Sequence, residues 1–130
     1  MQKNKHLEVA IRDILKSRAQ SRIYLYLLRK NGVRTEDIIK GTHLHPSTVR
    51  ETLAKMHAQH LIFRKKLKNN NIGKNPYLYY PLPPLDLIKR YATEIEGRLN
   101  NIAALAIQKD STGTIGKPIK IKIFNRDEML

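Results

Sequence analysis

The sequence predicts a mainly α-helical fold with one small β-hairpin and a long C-terminal helix. Apolar residues recur at intervals of three and four over several segments, as they do on the inner face of a helix. Two short apolar and aromatic runs flank a polar loop at 68–75, which is the pattern of a hairpin. A heptad pattern then continues from Leu85 to Ala106. With 130 residues, the chain has room for one domain, or for a small domain with an extension.

The first part of the chain is predicted to form a series of helices. Residues 4–17 and about 19–31 each place apolar residues on one helical face. Thr35 is expected to cap a short helix, because the two acidic residues after it stabilise the positive end of the helix dipole. Gly41 is expected to end this helix after barely two turns.

A further helix is predicted over about 46–59, after a tight connection. Pro46 suits its first position, where a missing backbone N–H costs nothing. The residues that the helical spacing turns toward the core are Val49, Leu53 and Met56. The residues left for solvent or a partner are Ser47, Arg50 and Lys55, with Thr52 if the helix turns it outward.

The predicted hairpin joins strands at 61–67 and 76–81 through a polar loop with a basic tip. No acidic residue lies between positions 61 and 81. The basic residues of the hairpin are Arg64, Lys65, Lys66, Lys68 and Lys74. A charged strand also resists edge-to-edge aggregation, and that role is compatible with phosphate binding. The tyrosines of the second strand are expected to pack the hairpin onto the helices rather than to stack on bases.

A long helix is predicted over about 84–108. Its heptad seam consists of Leu85, Ile88, Ala92, Ile95, Leu99, Ile102 and Ala106. The narrow seam, with alanines that allow close approach, favours pairing with a second copy as a homodimer. Packing back on residues 4–17 is the alternative. The chain thus divides into a domain at 1–82, a dimerisation helix at 83–108, and a linker with a short strand or a disordered tail at 109–130.

Charge is the strongest global signal. The chain carries 25 Lys and Arg against 11 Asp and Glu, a net charge of +14. Residues 1–40 and 41–81 each carry a net charge of +6, whereas residues 82–108 are neutral. A polyanionic partner accounts for this distribution, and a charge kept for solubility is the alternative.

Other classes of function find little support in the sequence. No apolar run approaches about 18 residues, so neither a membrane span nor a signal peptide is expected. The expected location is cytoplasmic and nucleoid-associated. The absence of cysteine excludes disulfides and thiol catalysis. The histidines at 43, 45, 57 and 60 lack a third carboxylate or thiol at suitable spacing, so neither a metal nor another cofactor is expected. The sequence contains no phosphate-binding loop, nucleophile motif or carboxylate pair that would indicate an enzyme.

The order of elements is that of a winged helix-turn-helix, in which helices joined by a tight turn precede a hairpin. In that arrangement the helix from Pro46 enters the major groove of double-stranded DNA and the hairpin acts as the wing. Arg50 can donate two hydrogen bonds to a guanine edge, and a helix N-terminus binds phosphate. The predicted DNA-binding residues are Thr35, His45, Pro46, Ser47, Thr48, Arg50, Glu51, Lys55, Arg64, Lys65, Lys66, Lys68, Asn70 and Lys74. The alternatives are a protein-interaction module of the transcription machinery with weak DNA affinity, and an RNA-binding domain.

Residues 19–108 resemble the DNA-binding part of the archaeal TrmB-like transcriptional regulators. The matching stretches are SRIYLYLLRKNGVRTEDIIKGTHLHPSTVRETLAKMHAQHLI at 21–62 and NPYLYYPLPPLDLIKRY at 75–91. The resemblance implies an archaeal transcription factor, usually dimeric, that binds promoter DNA through the helix from Pro46. His60 departs from the pattern, because a glycine commonly ends that helix. Only 22 residues follow the long helix, so neither a sugar-sensing domain nor a small-molecule effector is expected.

Overall fold

A computed structural model describes residues 2–67, 76–107 and 118–124. The described chain contains five helices and one two-stranded antiparallel sheet, which confirms the predicted fold class. In chain order the elements are α1 (Gln2–Leu15), α2 (Arg18–Lys30), α3 (Thr35–Thr42), α4 (Pro46–Ala58), β1 (Ile62–Lys66), β2 (Tyr77–Pro81) and α5 (Pro84–Ile107). They form two compact units, Met1–Leu82 and Pro83–Leu130.

Helix α2 forms the centre of the core of the first unit. Ile23, Tyr24 and Leu27 are fully buried along it. The Tyr24 hydroxyl donates a hydrogen bond to the carbonyl of Leu82 at 2.5 Å. This bond joins α2 to the residue that follows the hairpin, so the helix core and the end of the hairpin are held together.

Helix α3 starts and stops differently from the prediction. Thr35 is the first helical residue rather than the cap, which is Arg34 in an extended conformation. Gly41 does not end the helix, which continues to Thr42. A Cβ at Gly41 would stand 2.0 Å from the ring of Tyr26. The glycine is therefore explained by close packing of that ring, not by helix termination.

Helix α4 packs against α2, α3 and β1. Val49 and Met56 are fully buried and Leu53 is nearly so, which confirms the predicted inner face. Thr52 is also buried, at 8% exposure, so the suggestion that it turns outward is wrong. Because Thr52 stands three residues after Val49 and four before Met56, it shares their side of the helix.

The end of α4 has the backbone geometry of a glycine cap, although no glycine is present. His60 has a left-handed φ of 58°. Its N–H donates to the His57 carbonyl at 3.1 Å, and the Leu61 N–H donates to the Met56 carbonyl at 2.9 Å. These two bonds form a Schellman motif, whose left-handed position usually holds glycine.

The hairpin pairs β1 and β2 with Arg64 opposite Tyr79. The connection between α2 and α3 adds a bridge that the sequence did not indicate. The Tyr79 N–H donates to the Val33 carbonyl at 2.8 Å, and the Gly32 N–H donates to the Tyr79 carbonyl at 3.0 Å. Gly32 has a φ of 82°, and a Cβ there would lie 3.0 Å from the ring of Tyr80. This position is therefore suited to glycine, and it fastens the hairpin to the helices.

The second unit consists of α5 and residues 118–124, termed the tail segment. The Asn100 amide accepts from the N–H of Ile119 and donates to its carbonyl, each at 3.0 Å. The Ile121 N–H donates to Glu96 Oε2 at 2.9 Å. Because the later residue of the tail segment contacts the earlier residue of α5, the tail segment runs antiparallel to the helix. Two extended residues rise about as far as four helical residues, roughly 6–7 Å, so the spacing of Ile119 and Ile121 matches that of Asn100 and Glu96.

The prediction for residues 109–130 was a linker with a short strand or a disordered tail, and the described part of it is residues 118–124. The tail segment is not paired as a strand, and side chains of α5 hold its backbone in place. The linker part of the prediction, residues 110–116, lies outside the described residues.

Candidate nucleic-acid interface

One face of α4 is open to solvent. Ser47, Arg50, Glu51 and Lys55 are exposed, and Thr48 is half-buried. At 100° per residue, the four exposed side chains span about 140° of the helix circumference. The structure therefore places most of the predicted α4 residues on one accessible surface, opposite the buried face that contains Met56.

The sequence analysis missed two members of this surface. Ala54 and Ala58 are exposed and lie on the same side of α4 as Ser47. Small side chains let a helix approach a base edge closely, and an alanine methyl can contact the methyl group of thymine. The signal available in the sequence was their spacing of four residues from Arg50 and from each other.

The N-terminus of α4 is capped by a side chain. His45 is the N-cap residue, and its Nδ1 accepts a hydrogen bond from the Ser47 N–H at 3.2 Å. The Ser47 Oγ lies 2.7 Å from the same nitrogen. Pro46 occupies the first helical position, as predicted. His45 and Ser47 are both exposed, so the capped end of the helix remains accessible to an anion.

Strand β1 carries the basic residues of the wing. Arg64, Lys65 and Lys66 are all exposed. The Arg64 guanidinium lies over the Tyr77 ring, with 4.3 Å from its carbon to the ring centroid. The Tyr77 and Tyr79 rings lie 6.3 Å apart at their centroids. Stacking uses the face of the guanidinium and leaves the N–H groups at its edge for hydrogen bonds. The ring therefore orders the arginine side chain while its N–H donors stay available to a ligand.

The remaining predicted residues have different positions. Thr35 is half-buried at the start of α3. Lys68, Asn70 and Lys74 lie outside the described residues. Since β1 packs against α4 and α3 also packs against α4, the described candidates belong to one connected part of the first unit.

The predicted seam of α5 is largely uncovered in the single chain. Leu85, Ala92 and Ile95 are half-buried, whereas Ile88, Leu99, Ile102 and Ala106 are exposed. Leu105, which is not part of the seam, is 67% exposed. The heptad therefore describes a stripe of apolar side chains, most of them available to another surface.

The described residues offer neither a metal-ion cluster nor a membrane-spanning helix. No group of three His, Asp or Glu side chains is arranged there to hold a metal ion. None of the helices in the described ranges is long and apolar enough to cross a membrane.

Comparison with solved structures supports the winged-helix architecture. A possible transcriptional regulator from Methanosarcina mazei Go1 aligns with a TM-score of 0.61 and 19% identity, over 81% of this chain and 88% of that one. NadR, solved in complex with 4-hydroxyphenylacetate, aligns with a TM-score of 0.50 and 18% identity, over 84% and 79%. The zinc-responsive MarR family member ZitR of Lactococcus lactis gives a TM-score of 0.44 and 20% identity, over 69% and 60%. Family models and curated proteins give no match. The first two alignments show that the chain has the fold of a winged helix.

The comparison also corrects one expectation. The short region after α5 was taken to exclude a small-molecule effector. NadR has a similar fold and was solved with a small molecule bound. A short C-terminal region is therefore no ground for excluding an effector, and that expectation is wrong.

Proposed function

We propose that this protein is a transcriptional regulator that binds double-stranded DNA. Helix α4 enters the major groove, and the β1–β2 hairpin contacts the adjacent backbone as a wing. The observation that carries the proposal is the open face of α4, which has a capped N-terminus and carries Arg50. Strand β1 packs beside this helix, exposes Arg64, Lys65 and Lys66, and contains no acidic residue. Phosphates favour both a helix N-terminus and clustered cations, and Arg50 supplies a group that distinguishes bases.

Dimerisation through α5 completes the proposal. Residues 82–108 carry no net charge in a chain of +14, so two copies approach there without the repulsion of their basic parts. The seam also leaves Ile88, Leu99 and Ile102 exposed in one copy. A symmetric pair would present two α4 helices to half-sites about one DNA turn apart, roughly 34 Å.

The resemblance to the archaeal TrmB-like regulators belongs to this proposal. The fold of the possible Methanosarcina regulator is consistent with it, although the alignment itself concerns the fold alone. Under this proposal the DNA is promoter DNA, and Lys68, Asn70 and Lys74 extend the wing toward the backbone.

The test is the salt dependence of DNA binding. Fluorescence anisotropy with a labelled duplex of about 30 base pairs gives the affinity at several salt concentrations. A DNA-binding regulator should lose affinity steeply as salt rises, because each phosphate contact releases counterions. Absent binding at low salt, or binding that does not respond to salt, would refute the proposal.

A second candidate is a protein-interaction module with weak DNA affinity. The second unit favours it, because Ile102, Leu105 and Phe124 are between 57% and 67% exposed. This candidate predicts weak, sequence-independent DNA binding. Selection of bound fragments from genomic DNA separates the two, since a regulator should enrich one motif and an interaction module none.

A further inference from the structure

A cavity that belongs to none of the predicted sites lies in the first unit. It is half-open, with a volume of about 190 Å³, and is lined by residues of α1, α2 and the C-terminal end of α3. A cavity of about 150 Å³ holds a benzene ring in another protein. This one therefore has room for a ligand of one ring and a small substituent.

Arg22 lies in this cavity with weak partners. Its side chain is 33% exposed, so the guanidinium is partly shielded from water. Its Nη1 donates to the carbonyl of Thr42 at 3.4 Å, near the limit for a hydrogen bond. Its Nε lies 3.7 Å from Glu8 Oε1, which is an ion pair but too long for a hydrogen bond. A partly buried guanidinium with these contacts retains strong donors for another acceptor.

The other lining residues indicate the chemistry of that acceptor. Arg29 adds a second cation, and Glu8 is the single acid among the lining residues. Leu25 and the ring of Tyr26 supply apolar surface. The Tyr26 ring lies so close to Gly41 that any side chain at that position would displace it. The cavity thus combines excess positive charge with an apolar wall whose position is set by packing.

We propose that this cavity binds a small organic anion, with a carboxylate or phosphate on an apolar body of about one ring. The anionic group takes the Arg22 guanidinium in two hydrogen bonds, and Arg29 adds electrostatic attraction. The ring lies against Leu25 and Tyr26. Glu8 competes with the ligand for Arg22, so the ion pair between α1 and α2 weakens when the cavity is filled.

The position of the cavity connects it to the helix-turn-helix. Thr42 and His43 line it, and α4 begins three residues after His43. The Thr42 hydroxyl accepts a hydrogen bond from the Leu44 N–H at 3.4 Å within the same turn. An occupant that draws Arg22 away from the Thr42 carbonyl therefore acts on the turn that leads into α4. The proposal itself concerns binding, and its test requires no DNA.

Isothermal titration calorimetry with benzoate and with phenyl phosphate tests the site, and benzamide serves as the neutral probe. Benzoate, phenyl phosphate or both should bind at constant ionic strength, and benzamide should not. The anion that binds with the higher affinity shows whether the site prefers a carboxylate or a phosphate. An absence of binding by both anions, or equal binding of benzamide, would overturn the proposal.

Three substitutions locate the binding. Arg22→Gln should lower the affinity for the bound anion at least tenfold, whereas Glu8→Gln should raise it several-fold because it frees Arg22. Lys16→Gln, an exposed residue that follows α1 and does not line the cavity, removes the same charge and should change the affinity less than twofold. If Arg22→Gln does not fold, Arg29→Gln takes its place, since Arg29 is exposed. Equal losses in the cavity and control variants, or weaker binding in Glu8→Gln, would refute the site.

Discussion

The contact between Arg64 and Tyr77 allows the wing to be tested in two independent ways. Arg64→Gln removes a charge from the proposed interface. Tyr77→Leu keeps that charge and an apolar neighbour but removes the aromatic face on which the guanidinium lies, 4.3 Å from the ring centroid. The first change alters the number of phosphates neutralised, whereas the second alters only how well the arginine is held.

The magnitudes follow from this difference. Each phosphate contact contributes about 0.9 to the slope of log affinity against log salt, so Arg64→Gln should make the slope shallower by about 0.9. Between about 50 and 200 mM salt, this difference makes the loss of affinity about 3.5-fold smaller than in the unmodified protein. An exposed cation–π contact contributes about 0.5–1 kcal/mol, which is the most that ordering of Arg64 before binding can contribute. Tyr77→Leu should therefore weaken binding by at most about two- to fivefold at every salt concentration and leave the slope unchanged.

The assay is fluorescence anisotropy of one labelled duplex with both variants at four or more salt concentrations. Lys16→Gln, an exposed residue outside the proposed interface, is the matched control for loss of one positive charge. An unchanged slope in Arg64→Gln would show that Arg64 neutralises no phosphate. Tighter binding by Tyr77→Leu would show that the ring competes with DNA for the guanidinium, which contradicts a supporting role for Tyr77.

Four further outcomes are expected. Arg50→Ala should reduce discrimination between the selected site and random DNA by about 1–3 kcal/mol at one base position, measured by competition binding, and unchanged specificity would place base recognition elsewhere. Tyr24→Phe should lower the free energy of unfolding by about 1–3 kcal/mol in urea denaturation, because the buried carbonyl that accepts its hydroxyl loses a donor; an unchanged midpoint would show that this bond does not stabilise the fold. Asn100→Ala should speed tryptic cleavage within the tail segment, and equal rates would mean that the amide does not hold it. Ile95→Glu and Leu99→Glu should each produce monomers in sedimentation equilibrium, and a persistent dimer would move the interface away from the seam.

The parts of the fold that the sequence predicted are those with repeated local signals. The inner face of α4 follows from the spacing of Val49, Leu53 and Met56, and burial of all three agrees with it. The hairpin follows from two strand-like runs around a turn-rich loop, and the antiparallel pairing of β1 with β2 agrees with it. In both cases several neighbouring residues indicate the same element, so the prediction does not depend on any one of them.

The parts that were missed depend on single contacts between distant residues. Asn100 looks like an ordinary polar residue on a helix, and only the return of Ile119 to its amide gives it a role. The bridge between Val33 and Tyr79 involves one residue from each segment, too few to form a pattern. Gly41 was interpreted as a helix end because glycine usually has that role, whereas here the ring of Tyr26 excludes a larger side chain. Local periodicity contains no information on such contacts.

The cap of α4 changes which groups can donate to a phosphate in the proposed complex. In the tautomer in which Nδ1 of His45 accepts from the Ser47 N–H, the ring proton lies on Nε2. In that tautomer the Ser47 hydroxyl, 2.7 Å from Nδ1, can direct its hydrogen to the same lone pair, which leaves its own acceptor lone pairs outward. An outward acceptor repels a phosphate, whereas the Nε2–H of His45 can donate to one. In that tautomer Ser47 orients the histidine, and the histidine is the better candidate for the phosphate contact at the start of the helix.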